Sequence, residues 1–221
     1  MTLVLYVERP NDDGSTDVIF SSDLTYSVGG IVYSKQDKIK QTRRFLYSGT
    51  GPIGSDVIVE DLEEYVKEEL SDESPLNLRE LYLFTESFSK IFPKYTSNGV
   101  TSGTIIVVDK FFPTSKFMIY LSAEKGFQID FLTDSIIAEG SAFTEGKAVL
   151  LTLLRQYSNS EPLENIVFNT YKIVNEINPI ISSESQIIKY VISDRNSIEE
   201  TKKNVQKKNK KRTKKTIEKT S

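Results

Sequence analysis

The 221-residue chain contains no histidine and no cysteine. Their absence excludes disulfides, thiol nucleophiles, zinc sites built on Cys or His, and every Ser–His–Asp arrangement. A nucleophilic mechanism would need a Ser or Thr hydroxyl and another base, such as a lysine, a carboxylate or the chain's own α-amino group. We expect neither a cofactor nor a metal ion.

Thr2, which follows the initiator Met, is the candidate nucleophile. Methionine aminopeptidases remove Met1 when a small residue such as Thr follows, and Thr2 would then carry a free α-amino group. Such an amine has an ordinary pKa of about 7.7 to 8.0, against about 10.4 for lysine. It can therefore accept a proton near neutral pH without the help of a histidine.

The charges divide the chain into an acidic body and a basic tail. Residues 195–221 contain 11 Lys and Arg against 3 Glu, whereas residues 1–194 contain 17 Lys and Arg against 28 Asp and Glu. From Asp194 onward no apolar periodicity remains, which predicts one folded domain over 1–193 and a disordered, Lys-rich tail over 194–221. Residues 202–219 could bind nucleic acid or another acidic partner, or could be a solvated extension.

The sequence gives no indication of a membrane partner. No apolar run approaches the roughly 18 to 20 residues of a membrane span, and the N-terminus lacks the basic start of a signal peptide. We therefore expect a cytoplasmic protein.

The first half of the chain predicts strands followed by two helices. The strand patterns cover 2–8, 18–23, 29–34 and 43–49. An apolar stripe between Ser55 and Leu70 has helical spacing. A second helix should contain Pro75 in its first turn and run to about Phe92, with Pro93 and Ser-Asn-Gly (97–99) as its end signals.

The second half repeats this order. Strand patterns cover 103–111, 115–122, 126–131 and 134–140, and two helices follow, of which the second begins at Ser160–Pro162 and stops at Asn178-Pro179. Residues 186–192 form a final strand. This order predicts an α+β fold, a four-layer αββα sandwich of two mostly antiparallel sheets with helices on both outer faces.

Five short motifs occur in an informative order. They are T-x-V-x-x-V (2–7), VIFSSDLT (18–25), G-G-x-V-x-S-x-x-D-K-I (29–39), Tyr-Ser-Gly before a helix (47–49) and IAEGSAFTEG (137–146). Together they resemble the proteasome β-subunit family of N-terminal-nucleophile hydrolases, and also the peptidase subunit of the bacterial two-component ATP-dependent protease. The resemblance runs from Thr2 to about Ile192.

The resemblance implies a role for each of five catalytic residues. Thr2 would be the nucleophile, Asp23 would hold the threonine and a lysine, and Lys38 would activate the hydroxyl. Gly49 would supply the N–H of the oxyanion hole, and Ser141 would lie near the terminal amine. The alternatives that stay open are Lys35 or Lys40 for the lysine, Gly51 for the glycine and Thr144 for the serine.

The implied function is that of a threonine-type endopeptidase, which cleaves unfolded polypeptide inside a self-assembled ring and could work with an ATPase. Two positions depart from the family pattern. Asn178 stands where an Asp is usual after the fourth helix, and Thr25 stands where an Arg is often found. A catalytically inactive structural or scaffold subunit of the same architecture is therefore the alternative.

Overall fold

The computed structural model describes residues 2–28, 31–50, 55–68, 74–97, 102–122 and 126–193. The predicted tail (194–221), Met1 and Gly51 lie outside these ranges. The described residues form eleven strands and four helices: β1 (Leu3–Pro10), β2 (Thr16–Asp23), β3 (Thr25–Val28), β4 (Ile31–Lys35), β5 (Lys40–Gln41), β6 (Phe45–Thr50), α1 (Ser55–Val66), α2 (Leu78–Ser97), β7 (Ser102–Asp109), β8 (Lys116–Ser122), β9 (Gly126–Phe131), β10 (Ile136–Gly140), α3 (Phe143–Tyr157), α4 (Leu163–Ile177) and β11 (Ser185–Ile192).

Two antiparallel sheets form the centre of the molecule. One has the strand order β10-β1-β2-β11 and the other has the order β5-β6-β7-β8-β9, while β3 and β4 make a separate hairpin. In the first sheet, Leu5 of β1 lies opposite Ala138 of β10 on one side and Ser21 of β2 on the other. The strand that begins at the N-terminus is therefore an interior strand.

Alternating side chains of β1 enter two different core layers, which is why this strand is apolar on both faces. Leu3 and Leu5 pack toward α3 and α4, whereas Val4 and Tyr6 pack between the two sheets. A third layer, which includes Phe84 of α2, joins the five-stranded sheet to α1 and α2. Three core layers between four structural layers confirm the predicted αββα sandwich.

The start of α2 differs from the prediction, because Asn77 rather than Pro75 defines it. The Asn77 side chain accepts hydrogen bonds from the N–H groups of Arg79 and Glu80, at 2.9 and 3.1 Å. The Glu80 carboxylate accepts in return from the N–H of Asn77 at 2.8 Å. This reciprocal capping satisfies backbone donors of the first turn and begins the helix at Leu78.

The end of α2 also differs, because the helix continues through Pro93 to Ser97. A proline inside a helix costs about 3 kcal/mol. Phe88 and Phe92, just before it, pack on Phe127 of β9 with ring centroids 4.5 and 5.3 Å away. Tertiary packing of this aromatic face offsets the lost backbone hydrogen bond. The prediction that Pro93 ends the helix was therefore wrong, whereas the helix does end where Ser-Asn-Gly (97–99), the other predicted signal, begins.

None of the helices in the described ranges is both long enough and apolar enough to cross a membrane.

Candidate functional site

Thr2 lies at the entrance to β1, where three strand ends meet. Because β1 is antiparallel to both neighbours, its start lies beside the end of β2 and the end of β10. Asp23 is the last residue of β2. Gly140 is the last residue of β10, and Ser141 comes directly after it. The topology thus gathers residues far apart in sequence around Thr2, which is itself half-buried.

Asp23 is a fully buried carboxylate with three donors. One oxygen, Oδ1, accepts from the N–H of Leu3 and from Lys38 Nζ, both at 2.9 Å. The other oxygen, Oδ2, accepts from the N–H of Thr25 at 3.0 Å. A buried carboxylate is costly unless it is paired and hydrogen-bonded, and these donors provide that compensation while fixing the direction of both oxygens.

Lys38 connects the carboxylate to the candidate nucleophile. Its Nζ donates to Thr2 Oγ1 at 3.1 Å as well as to Asp23, and its side chain is only 9% exposed. Burial lowers the pKa of Lys38 below its ordinary value, and the charge and hydrogen bond of Asp23 act in the opposite direction. A cation donating to the threonine oxygen favours the alkoxide form of the hydroxyl.

The segment that carries Lys38 is held at both ends by polar contacts. The N–H of Gln36 donates to the carbonyl of Leu24 at 2.9 Å. The N–H of Ile39 donates to Gln186 Oε1 at 2.7 Å, and Ile39 itself is buried. Gln186, on β11, was not a candidate in the sequence, since no local pattern links it to the lysine.

Ser141 contacts the backbone of Thr2 in both directions. The nitrogen of Thr2 donates to Ser141 Oγ at 3.3 Å, and the N–H of Ser141 donates to the carbonyl of Thr2 at 3.0 Å. Ser141 is not the N-cap of α3, because Ala142 occupies that position without a side-chain hydrogen bond. The rival Thr144 is exposed on α3.

Gly140 allows this close approach of β10 to Thr2. Its φ of +109° is rare for residues with a side chain, and a Cβ there would lie 1.9 Å from the carbonyl oxygen of Thr2. Both observations require glycine. The Gly-Ser pair in the fifth motif was the signal for this position, of which only the serine was a predicted site residue.

The rival lysines lie elsewhere. Lys35 forms an exposed ion pair with Glu184 at 2.8 Å, and Lys40 is exposed on β5. Gly49 lies in β6 opposite Ile105 and is half-buried. Within the described residues no hydrogen bond joins Gly49 to Thr2, so the structure groups four of the five candidates and leaves Gly49 on a separate strand.

The two positions that depart from the family pattern make backbone contacts. Asn178 follows the last turn of α4, where its N–H donates to the carbonyl of Val174 at 2.7 Å and its carbonyl accepts from Ile181 at 3.0 Å. Thr25, as described, donates its N–H to Asp23. Asn178 is uncharged, so it adds no negative charge where the family has a carboxylate. Thr25 is also uncharged, but its backbone N–H donates to the Asp23 carboxylate.

The cluster of Thr2, Asp23, Lys38 and Ser141, called the Thr2 cluster below, offers a hydroxyl, a buried cation, an orienting carboxylate and a nitrogen beside a serine. These are the components of an activated nucleophile that needs no histidine. Among the described residues no group of three or more carboxylate, His or Cys side chains is arranged to hold a metal ion.

No protein-family model and no curated protein sequence matches the chain. Solved structures do resemble it. Eukaryotic HslV from Trypanosoma brucei superposes with a TM-score of 0.59 at 17% identity, covering 87% of this chain and 99% of HslV. BPH from Thiobacillus denitrificans, solved in complex with epoxomicin, gives 0.59 at 15% identity, covering 88% of this chain and 100% of BPH.

A third similar structure is a Gly-1 mutant of Anbu from Hyphomicrobium sp. strain MC1, with a TM-score of 0.55 at 12% identity, covering 96% of this chain and 99% of Anbu. Coverage of nearly the whole of each relative shows that the similarity extends across the complete sandwich. The chain has a proteasome-like αββα fold, as the sequence motifs predicted.

Proposed function

We propose that the protein is a threonine-type endopeptidase whose nucleophile is the hydroxyl of Thr2. Removal of Met1 makes Thr2 the N-terminal residue and gives it a free amine. One observation carries the proposal: Lys38 Nζ lies 3.1 Å from Thr2 Oγ1 and 2.9 Å from the buried carboxylate of Asp23. A lysine held this way has no evident structural need to contact the threonine oxygen. Its position suits the activation of a nucleophile.

The first chemical step forms the acyl-enzyme. The free amine of Thr2 takes the hydroxyl proton, directly or through a water, while the Lys38 cation stabilises the developing charge on Oγ1. The oxygen attacks the carbonyl carbon of the substrate peptide bond. The N–H of Gly49, which is proposed for this role from the sequence motif alone, donates a hydrogen bond to the tetrahedral oxyanion. The C–N bond then breaks, and the amine returns its proton to the leaving nitrogen.

The second step restores the enzyme. A water molecule gives a proton to the Thr2 amine and attacks the ester carbon, which releases a new carboxyl terminus and returns the proton to Oγ1. Ser141 and Asp23 fix the Thr2 backbone through both steps. The contacts that support this role are the two hydrogen bonds between Ser141 and Thr2 and the bond from the N–H of Leu3 to Asp23.

The partners proposed with this function are further copies of the chain in a ring, unfolded polypeptide as the substrate, and an ATPase that delivers it, all in the cytoplasm. The support is the likeness of the whole sandwich to HslV and BPH.

The test combines intact mass and covalent labelling. We expect the purified protein to lack Met1 and to form a one-to-one adduct with an epoxyketone, a reagent class suggested by the epoxomicin complex of BPH. An epoxyketone reacts with both the hydroxyl and the free amine of an N-terminal threonine. Peptide mapping should therefore locate the adduct on Thr2.

The matched controls are Thr2→Ala, which should form no adduct, and Thr16→Ala, which alters the threonine at the start of β2 and should be labelled like wild type. A retained Met1, or an adduct elsewhere, would reject the proposed nucleophile.

The alternative is an inactive scaffold subunit, which the uncharged Asn178 favours. In that case Thr2→Ala should assemble and function as wild type does. A variant that assembles normally but loses its function would exclude the scaffold.

For the basic tail we propose an acidic partner, with nucleic acid as the first candidate. The support is the charge of residues 195–221, which opposes the acidic body.

A further inference from the structure

Tyr171 is a buried phenol that the proposed mechanism does not use. It lies on α4, in the layer that packs on the four-stranded sheet, and it is fully buried. Its hydroxyl donates to the carbonyl oxygen of Leu3 at 3.3 Å. Leu3 directly follows Thr2, so this contact links a helix to the peptide that carries the candidate nucleophile.

A second hydroxyl completes the contact. Ser21 Oγ lies 3.1 Å from the Tyr171 oxygen, and Ser21 is also fully buried. Ser21 Oγ also lies 3.4 Å from the carbonyl oxygen of Leu5, to which it can donate. Because the phenol uses its single proton for Leu3, the one proton of the serine serves the phenol oxygen or the Leu5 carbonyl. The result is a short chain from β2 through α4 to β1.

Leu3 is consequently held at both of its backbone polar groups by side chains. Its N–H donates to Asp23 Oδ1 at 2.9 Å, and its carbonyl accepts from Tyr171. Its side chain packs so closely against α3 that a Cβ on Gly146 would come within 2.7 Å of Leu3 Cδ1. Rotation or sliding of this residue along the β1 axis would break all three contacts.

The phenol is suited to a constant structural restraint. Burial is the main cause that raises its pKa well above the ordinary value, and the nearby Asp23 charge adds to the effect. Tyr171 is therefore a neutral donor at neutral pH. Its contribution should be to position Thr2 and not to transfer a proton.

We propose that Tyr171 is a positioning residue for Thr2, which acts through the Leu3 carbonyl to keep Thr2 Oγ1 within hydrogen-bonding distance of Lys38 Nζ. This inference rests on the proposed function for its consequence in catalysis, whereas the geometry it describes can be tested separately.

The experiment measures the first-order rate constant for epoxyketone adduct formation at saturating reagent, together with the final labelled fraction. Tyr171→Phe should lower the rate constant about three- to tenfold, with the half-saturating reagent concentration and the final labelled fraction unchanged. Ser21→Ala should lower it in the same direction by a smaller factor. The pH at the midpoint of the rate profile should not move in either variant.

The matched control is Val167→Ala, which truncates a buried residue on the same helix. It should reduce thermal stability without changing the rate constant, because loss of folded protein lowers the labelled fraction and not the rate of the folded remainder. A wild-type rate constant in Tyr171→Phe, or equal slowing in Val167→Ala, would overturn the proposal. If Tyr171→Phe does not fold, a wild-type rate in Ser21→Ala overturns it.

If the wild-type protein forms no adduct, the proposed function fails and crystal structures of the variants decide the geometric inference. Tyr171→Phe should then lengthen the distance between Thr2 Oγ1 and Lys38 Nζ by about 0.5 Å or more, the tolerance of a working site. Val167→Ala should leave that distance unchanged. An unchanged distance in both variants would reject the positioning role.

Discussion

At the scale of single residues, the Thr2 cluster depends on one lysine that is nearly excluded from water. Lys38 is paired with a fully buried carboxylate, whereas Lys35, three residues earlier, is paired with Glu184 on the surface, where both side chains are 58% exposed. The two lysines differ in burial and in partner but not in type. The same substitution at Lys35 is therefore a control for each experiment on the Lys38 cation.

Replacement of Lys38 by Met should lower the rate constant for epoxyketone labelling by about 100- to 1000-fold, the usual effect of removing one electrostatic contact to a transition state. The same change at Lys35 should leave the rate constant within about twofold, since an exposed ion pair contributes at most about 1 kcal/mol. Equal rate constants for the Lys38 variant and wild type would remove Lys38 from the mechanism.

The rate of labelling should depend on pH through two groups. It should rise as the Thr2 amine loses its proton, near the ordinary range of about 7.7 to 8.0. It should fall again as Lys38 loses its proton, at a pH below the ordinary lysine value because burial lowers this pKa. Lys38→Arg, which stays charged, should abolish the fall at high pH, and persistence of that fall in the variant would assign it to another group.

At the scale of secondary-structure elements, the turn from β10 into α3 determines how closely the strand end approaches Thr2. Gly140 and Gly14 both have a positive φ, at +109° and +81°. A Cβ added to Gly14, however, would have no atom within 4 Å, whereas at Gly140 the Thr2 carbonyl occupies the space that a Cβ would need. Only one of the two turns is therefore constrained by the site.

Gly14→Ala should reduce the free energy of unfolding by about 1 to 2 kcal/mol, the cost of a side chain in this backbone region. Gly140→Ala should carry the same cost and must also displace the Thr2 carbonyl. We expect about twice the loss of stability or more in chemical denaturation, and slower labelling of Thr2 in the folded fraction. Similar stability of the two variants would show that the turn can relax without moving β1.

The sequence predicted the layers and most of the cluster because these depend on local patterns. β-rich composition indicated β1 and β2, and the resemblance of VIFSSDLT (18–25) to the family's strand that ends in Asp indicated Asp23. The lysine was harder, since Lys35, Lys38 and Lys40 are equally basic in sequence. Their different burial results from the β3–β4 hairpin and from the contact between Ile39 and Gln186, which are set by tertiary structure.

The same limit explains the contacts that sequence analysis missed. Tyr171 lies 168 positions from Leu3 in the chain, and nothing in the helical stripe of α4 distinguishes a phenol that bonds to a strand from one that only packs. Asn77 was missed for another reason: its capping box with Glu80 was readable in the sequence, but Pro75 was the stronger apparent start signal.

At the scale of the whole molecule, the charge is divided between two parts of the chain. The body to residue 194 is acidic, with 28 Asp and Glu against 17 Lys and Arg, and the remainder is basic. The acidic body should repel nucleic acid, so binding of a polyanion would have to depend on the tail. The two parts can be separated by truncation after Ser193.

Deletion of residues 194–221 should abolish binding to a single-stranded oligonucleotide, measured by fluorescence anisotropy at several salt concentrations. In the full-length protein, affinity should fall steeply with salt, as expected for release of counterions. A control with the Lys and Arg of the tail changed to Gln should behave like the deletion. Binding that survives both changes would locate the partner surface on the body.

The interior position of β1 means that the site cannot be assembled from one local segment of the chain. Thr2 and Ser141 are separated by 139 positions, so their contact needs β10 and the turn into α3 as well as β1. Contacts between distant residues are slow to form, because a long loop must close before they are made. The hydroxyl that we propose as the nucleophile therefore meets all of its proposed partners only once both halves of the chain have folded.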